Sequence, residues 1–322
     1  MEKKYYYFFI DDVIWALRDL SREKPDSVFD NPFFKALKTA NEKYGMKTQL
    51  NIFYRTDYYY GMDEFTLADV PDTYKAEFEE ASDWLKFAFH AKQEFPDYPH
   101  VNASYDDIRT LFEMIKKEVF RFAGKNSFAY GIVPHWLPVS REGCKALYDC
   151  GGKIMSATIG TKTPYNGDAA SLPYGHAGRL LQNRKKETML FTRNTKDLSI
   201  VKSICGYNHI NDISFDSNVR TLKYIKDEET GMCFKRTCDG VVLNLFTNEE
   251  LKEELSTRLN DTLVGIGNHE QYFYEDYFAY QSEYAEKIYT AAKLMYESNH
   301  EPIFLEQLVE LTLPQAGKTL ES

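Results

Sequence analysis

Short apolar runs alternate with helix-length amphipathic segments along most of this chain, and no other feature narrows the fold as far. Tyr5 to Ile10 is an aromatic run bounded by charges. Met46 to Phe53 ("MKTQLNIF"), "WLKFAFH" (84–90), "SFAYGIV" (127–133) and "KIMSATIG" (153–160) repeat its strand character. Between them lie segments with helical spacing. "FFKALKTANEKYG" follows the start signal Asp30-Asn31-Pro32 and stops at Gly45. "TYKAEFEEASD" and "SREGCKALYDCGG" read as helices, and "SYDDIRTLFEMIKKEVFRFAG" puts Ile108, Leu111, Phe112, Ile115 and Val119 on one face. The pattern resumes near residue 240 with "GVVLNLF", "TNEELKEELSTRLND", "TLVGIGNH" and "EYAEKIYTAAKLMYESN". Such alternation predicts βα units around a parallel sheet. The fold expected is α/β, a distorted (β/α) barrel of about seven strands built from 1–159 and 240–322. Residues 160–239, rich in Asn, Asp, Thr, Lys and Gly, are expected to form a β-rich insertion.

Charge and composition remove several classes of function. The 39 Lys and Arg against 49 Asp and Glu leave a net charge of −10, a field that repels polyanions. The densest basic cluster is Arg184-Lys185-Lys186, too short for a nucleic-acid surface, so no nucleic-acid partner is expected. No stretch approaches the ~18 apolar residues of a membrane span, so no membrane partner is expected either. The five Cys are irregularly spaced, which fits free thiols in a reducing compartment better than a disulfide framework or a zinc knuckle. "MEKKYYYFFIDD" lacks the apolar length of a secretory signal, and the expected location is cytoplasmic.

In parallel α/β folds, chemistry sits at the carboxyl ends of the strands. The first predicted strand ends at Asp11-Asp12, the third at His90, the fourth runs into His135-Trp136, and the last ends at Asn268-His269. Successive strand residues point to opposite faces, so the two aspartates are expected to do different jobs: one a metal ligand, the other a general base. Taken alone, such a pair is also met as a solvated loop or a helix cap. His90 and Glu94 stand four apart, one face of a helical turn. Asp12, His90 and Glu94 together would supply the nitrogen and oxygen ligands of a catalytic divalent metal, zinc above all, with positions left open for water.

These residues resemble the motifs of the polysaccharide deacetylases, carbohydrate esterases with a metal-dependent deacetylase fold. Phe9-Ile10-Asp11-Asp12-Val13 matches the family's T-F-D-D-G, and His90-Ala91-Lys92-Gln93-Glu94-Phe95-Pro96 loosely matches H-[ST]-x-x-H-P. Val133-Pro134-His135-Trp136 stands near R-x-P-[YWF], and Gly267-Asn268-His269 stands where L-x-H closes the family pattern. The resemblance implies a deacetylase-like (β/α)7 barrel, Asp11 as base, Asp12, His90 and Glu94 as metal ligands, and His269 as general acid. The departures are Glu94 for the second metal His, Val13 for Gly, Gly267 for Leu, and no Arg in the third motif to hold the catalytic Asp.

The chemistry expected is metal-assisted hydrolysis that removes acyl groups, N-acetyl first among them, from a carbohydrate. Sugars stack on aromatic rings, so His135, Trp136 and Tyr272, all beyond predicted strand ends, are the expected substrate walls. Two other readings remain open: a non-catalytic carbohydrate-binding protein on the same scaffold, and a glycosidase on a similar barrel with paired carboxylates.

Overall fold

The computed structural model describes residues 3–56, 64–95, 98–159, 206–210, 218–236, 241–277 and 279–312, with the backbone of 315–318. The first half runs β1 (Lys4–Val13), α1 (Trp15–Glu23), α2 (Pro32–Tyr44), β2 (Thr48–Phe53), α3 (Lys75–Glu80), β3 (Leu85–Ala91), α4 (Tyr105–Phe122), β4 (Gly131–Ile132) and α5 (Arg141–Asp149). Then come β5 (Ile154–Ile159), β6 (His209–Ile210), β7 (Ile225–Asp227), β8 (Cys233–Arg236) and α6 (Asn248–Ser256). β9 (Leu263–His269), α7 (Tyr284–Glu297), β10 (His300–Pro302), α8 (Leu308–Leu311) and β11 (Gln315–Lys318) follow.

β1 organises the first sheet. It pairs in parallel with β2 on one side and with β9 on the other, the latter in register from Tyr5 opposite Leu263 to Asp11 opposite His269. β3 extends the sheet beyond β2, and β10 pairs with the start of β1. The aromatic run of β1 is explained by burial on both faces, as parallel sheets require. Tyr6, Phe8 and Ile10 pack into the main core with the helices, while Tyr5, Tyr7 and Phe9 pack with Val133, Ile154, Leu263 and Ile303. α4 buries Ile108, Phe112, Ile115, Val119 and Phe122, and opens on a capping box between Ser104 and Asp107. α2 starts where Asn31 accepts from the N–H groups of Phe33 and Phe34, and ends at Gly45, whose φ of 68° suits a residue without a Cβ.

A second sheet orders its strands β11-β7-β8-β5-β4, with β6 beside β5; only β7 and β8 pair antiparallel. Isolated parallel bridges join Phe87 of β3 to Phe128 and Gly267 of β9 to Val242, so each adds one pairing to the first sheet beyond its ladders. The ladders among the described residues do not close into a barrel. Of the expected insertion, 160–205, 211–217 and 237–239 lie outside the described residues. The described part carries β8, which pairs with β5 from Ile154 opposite Cys233 to Ala157 opposite Arg236. Two readings of elements change. "GVVLNLF" makes a 3-10 turn at Leu243–Leu245 beside one bridge, and α1, which the sequence did not signal, follows β1 directly. Among the described residues no helix is long and apolar enough to cross a membrane.

Candidate active site

The end of β1 departs from ideal strand geometry. Its pairing with β2 shifts register between Ile10 and Val13, and Asp12 has a left-handed φ of 64°. That conformation costs a non-glycine residue about 1–2 kcal/mol and persists only where surrounding contacts impose it. It also cancels the alternation expected from a strand. Asp11 and Asp12 do not go to opposite faces: Asp11 Oδ1 lies 3.9 Å from His90 Nδ1, and Asp12 Oδ1 lies 3.0 Å from His90 Nε2. Positive φ recurs at Trp136 and Leu137, which follow the third participant, His135, and at Tyr98, whose ring packs on that of Trp136.

Asp12 Oδ1, His90 Nε2 and His135 Nδ1 converge. Both nitrogens are 3.0 Å from the carboxylate oxygen, and they are 3.1 Å from each other. All three residues are buried. The far nitrogen of each ring faces a backbone carbonyl: His90 Nδ1 donates to Val133 O at 2.6 Å, and His135 Nε2 donates to Glu94 O at 2.8 Å. A ring nitrogen opposite a carbonyl must carry the proton, so both near nitrogens present lone pairs. Three acceptors therefore face one point, and a proton or a cation must lie among them. Burial pushes the His90 imidazole below its usual range, which keeps it neutral. Burial alone would raise Asp12; when the cluster holds a proton instead of a metal, positive charge on His135 and hydrogen bonds from the two rings outweigh burial and hold its carboxyl well below the usual range.

The donor set fits a divalent metal. Two imidazoles and a carboxylate, each fixed by an outer hydrogen bond, are the donors that divalent transition metals take. Tetrahedral bonds of about 2.0–2.2 Å set ligand atoms about 3.3–3.6 Å apart, so small side-chain movements would admit the ion.

Asp11 has a separate anchor. Asn51 Nδ2 donates to its Oδ1 at 2.6 Å, and Gln49 Nε2 donates to Asn51 Oδ1 at 2.7 Å and to Gly131 O at 3.0 Å. Burial, with Asp12 beside it, pushes Asp11 well above the usual carboxylate range, against the Asn51 hydrogen bond.

Glu94 is near the cluster but not in it. His90 ends a strand, not a helical turn, and the Glu94 carboxylate accepts from Gln271 Nε2 at 2.9 Å. The same Gln271 nitrogen donates to Asp12 Oδ2 at 3.0 Å, so one amide bridges the two carboxylates. His135, expected as a substrate wall, supplies the third converging atom. His269 is buried at the end of β9 with Nδ1 2.9 Å from Asn244 Oδ1, and its ring lies 6.4 Å from that of Tyr272. Trp136 is half-buried, its ring 5.1 Å from Tyr98 and 6.1 Å from His135. A Cβ at Gly267 would come 2.9 Å from the Phe9 ring, which fills the space beside the last strand. Sequence reasoning missed Asn51, Gln271 and Asn244. Gln49 and Asn51, alternating within an apolar strand, were a legible signal of a polar face; Gln271 and Asn244 gave none.

No family model matches the chain, and no curated relative matches it. Among solved structures, a 4-alpha-glucanotransferase from Thermococcus litoralis matches 96% of this chain with a TM-score of 0.55 at 10% identity. The match covers 40% of that protein, so the chain spans well under half its length. Two carbohydrate esterase structures match with lower scores. The Xyl-CE4 domain of a multidomain xylanase from the hindgut metagenome of Trinervitermes trinervoides has a TM-score of 0.44 at 10% identity, over 96% of this chain and 91% of that one. A family 4 acetyl xylan esterase from Clostridium thermocellum, in complex with a cobalt ion, has 0.30 at 16%, over 52% and 65%. The fold likeness rests on the glucanotransferase; the two esterases are of the family that the sequence motifs resemble.

Proposed function

We propose that the chain is a metal-dependent hydrolase that removes acyl groups, N-acetyl among them, from a carbohydrate. The observation that carries this reading is the convergence of three acceptor atoms of Asp12, His90 and His135, with the tautomers of both rings set by backbone carbonyls. A divalent ion bound there, zinc in the first instance, supplies a Lewis acid that acidifies water and polarises an acyl oxygen. Asp11, with its raised proton affinity, takes the proton of the attacking water, and Asn51 keeps its carboxylate oriented. His269, fixed through Asn244, donates a proton to the departing amine. Trp136 and Tyr272 border the substrate. The scaffold is read as a distorted seven-stranded barrel with 160–239 as the insertion; the isolated parallel bridges of Phe87 to Phe128 and of Val242 to Gly267, which extend parallel pairing beyond the ladders, favour the barrel.

Purification without added metal, followed by metal analysis and assay on acetylated xylo- and chito-oligosaccharides, tests the proposal. One divalent ion per chain and chelator-sensitive release of acetate are expected; activity that persists in chelator would sink it.

A second reading has one observation in its favour. Asp12 Oδ2 and Glu94 Oε2 accept from the same Gln271 amide at 3.0 and 2.9 Å, so two carboxylates stand close together, as the acid pair of a glycosidase does. A glycosidase would be indifferent to chelation, so the same assay on aryl glycosides separates the two.

A further inference from the structure

Glu270 follows His269 at the end of β9 and is wholly buried. Its Oε2 accepts from the N–H groups of Ile14 and Trp15, each at 2.7 Å, and its Oε1 accepts from Ala16 N at 2.8 Å. These are the first amides of α1, which an intrahelical bond cannot satisfy. The residue at the N-cap position is Ile14, whose side chain cannot accept a hydrogen bond, so a carboxylate 256 residues away caps the helix instead. Caps are ordinarily local, and they fix only their own helix end. This one ties the tail of β9 to the backbone just beyond Asp12.

Only Val13 lies between Asp12 and that anchored amide row. Asp12 must turn through a left-handed φ to reach it, and the turn is what brings its carboxylate to His90 and His135. The next residue along, Gln271, grips the Asp12 side chain through Oδ2. Consecutive residues of one strand tail thus restrain the backbone that follows Asp12 and the carboxylate of Asp12 itself, while Asp11 is paired in register with His269. We infer that Glu270 is a positioning residue for Asp12, setting the strained turn that points this carboxylate into the metal cluster. The inference rests on the metal reading above. It extends that reading to a residue that touches neither metal nor substrate.

The test compares the full chain with Glu270→Gln and with Asn31→Ala. A glutamine keeps the shape and one acceptor oxygen but sets an NH2 against the Ala16 N–H, so the row is no longer fully held. Asn31→Ala removes the cap of the neighbouring α2, which has no link to Asp12. Co2+ is titrated into each protein, following its visible d–d absorption, with denaturant unfolding recorded alongside. Glu270→Gln should weaken Co2+ binding about 10–100-fold, the range of outer-shell changes, and alter the absorption intensity. Asn31→Ala should bind Co2+ with wild-type affinity and spectrum. Because coupling is reciprocal, Co2+ should also slow amide exchange at Ile14, Trp15 and Ala16 of the wild type, but not at Phe33 and Phe34. That measurement serves if Glu270→Gln does not fold. Wild-type affinity and spectrum in Glu270→Gln, or unchanged exchange at the three amides, would overturn the positioning role alone. A wild type that takes up no Co2+ overturns the metal reading and this inference with it.

Discussion

His90 Nε2 and His135 Nδ1 lie 3.1 Å apart with their lone pairs turned towards each other, each ring held from behind by a carbonyl. Neutral imidazoles do not choose this arrangement. The two carbonyls, of Val133 and Glu94, leave the rings no other tautomer, and Asp12 adds a third acceptor. The cluster is therefore built around a positive charge.

Metal affinity should follow the geometry and not the sequence spacing. His135→Ala should lower Zn2+ affinity by more than about a hundredfold, beyond the loss typical of outer-shell changes. Glu94→Gln should lower it far less, since that carboxylate is engaged by Gln271. Equilibrium dialysis with Zn2+ decides the matter: the reverse ranking would restore Glu94 as the ligand.

The roles assigned to Asp11 and His269 can be separated by leaving group. Asp11→Asn should keep the metal and slow hydrolysis of every acyl substrate, by about 10²–10⁴-fold for loss of a general base. His269→Ala should slow release of an amine from an N-acetyl substrate by a similar factor. It should barely affect an aryl acetate, whose leaving group departs without a proton. Equal losses on both substrates would make His269 structural.

Acid should destabilise the apo fold through His100. Burial lowers this imidazole to about 3, although its Nε2 hydrogen bond to His90 O at 2.9 Å works the other way. The folded value lies below the ordinary ~6.5, so the unfolded chain takes up a proton that the folded chain refuses. The stability contributed by neutral His100 is present above about pH 6.5 and is lost as pH falls towards 3, at up to about 1.4 kcal/mol per unit. His100→Gln, which can keep the donor, should show a shallower fall in unfolding free energy from about pH 6 to about pH 4. Parallel urea-denaturation profiles for the two proteins would refute the assignment.

The space beside the last strand is already full. A Cβ at Gly267 would meet the Phe9 ring at 2.9 Å, so Gly267→Ala should cost about 1–3 kcal/mol of stability. Phe9→Leu combined with Gly267→Ala should recover part of the loss, because the ring gives way. Denaturant midpoints of the single and double variants test this, and additive losses would show that the two positions do not compete for volume.

The parallel strands around β1 were legible because a strand buried on both faces needs an unbroken apolar run, and Tyr5 to Ile10 is one. β9 was legible for the same reason, and the polar residues at these strand ends, Asp11, Asp12, His90, His135 and His269, follow from the rule that strands deliver chemistry at their carboxyl ends. Periodicity also found α2 and α4, whose caps and buried faces are written in consecutive residues. It could not find α1, whose cap is Glu270, because a hydrogen bond across 256 residues leaves no local pattern. Nor could spacing rank His135 above Glu94. His135 turns a ring nitrogen to Asp12 and His90, whereas Glu94 turns its carboxylate to Gln271 and its carbonyl to the far side of the His135 ring, and the left-handed turn at Asp12 brings its carboxylate to both rings. By itself the sequence determined which residues reach one end of the sheet, since alternation and burial are local properties. Which of their atoms meet was decided only by the tertiary structure, through backbone strain that distant contacts impose.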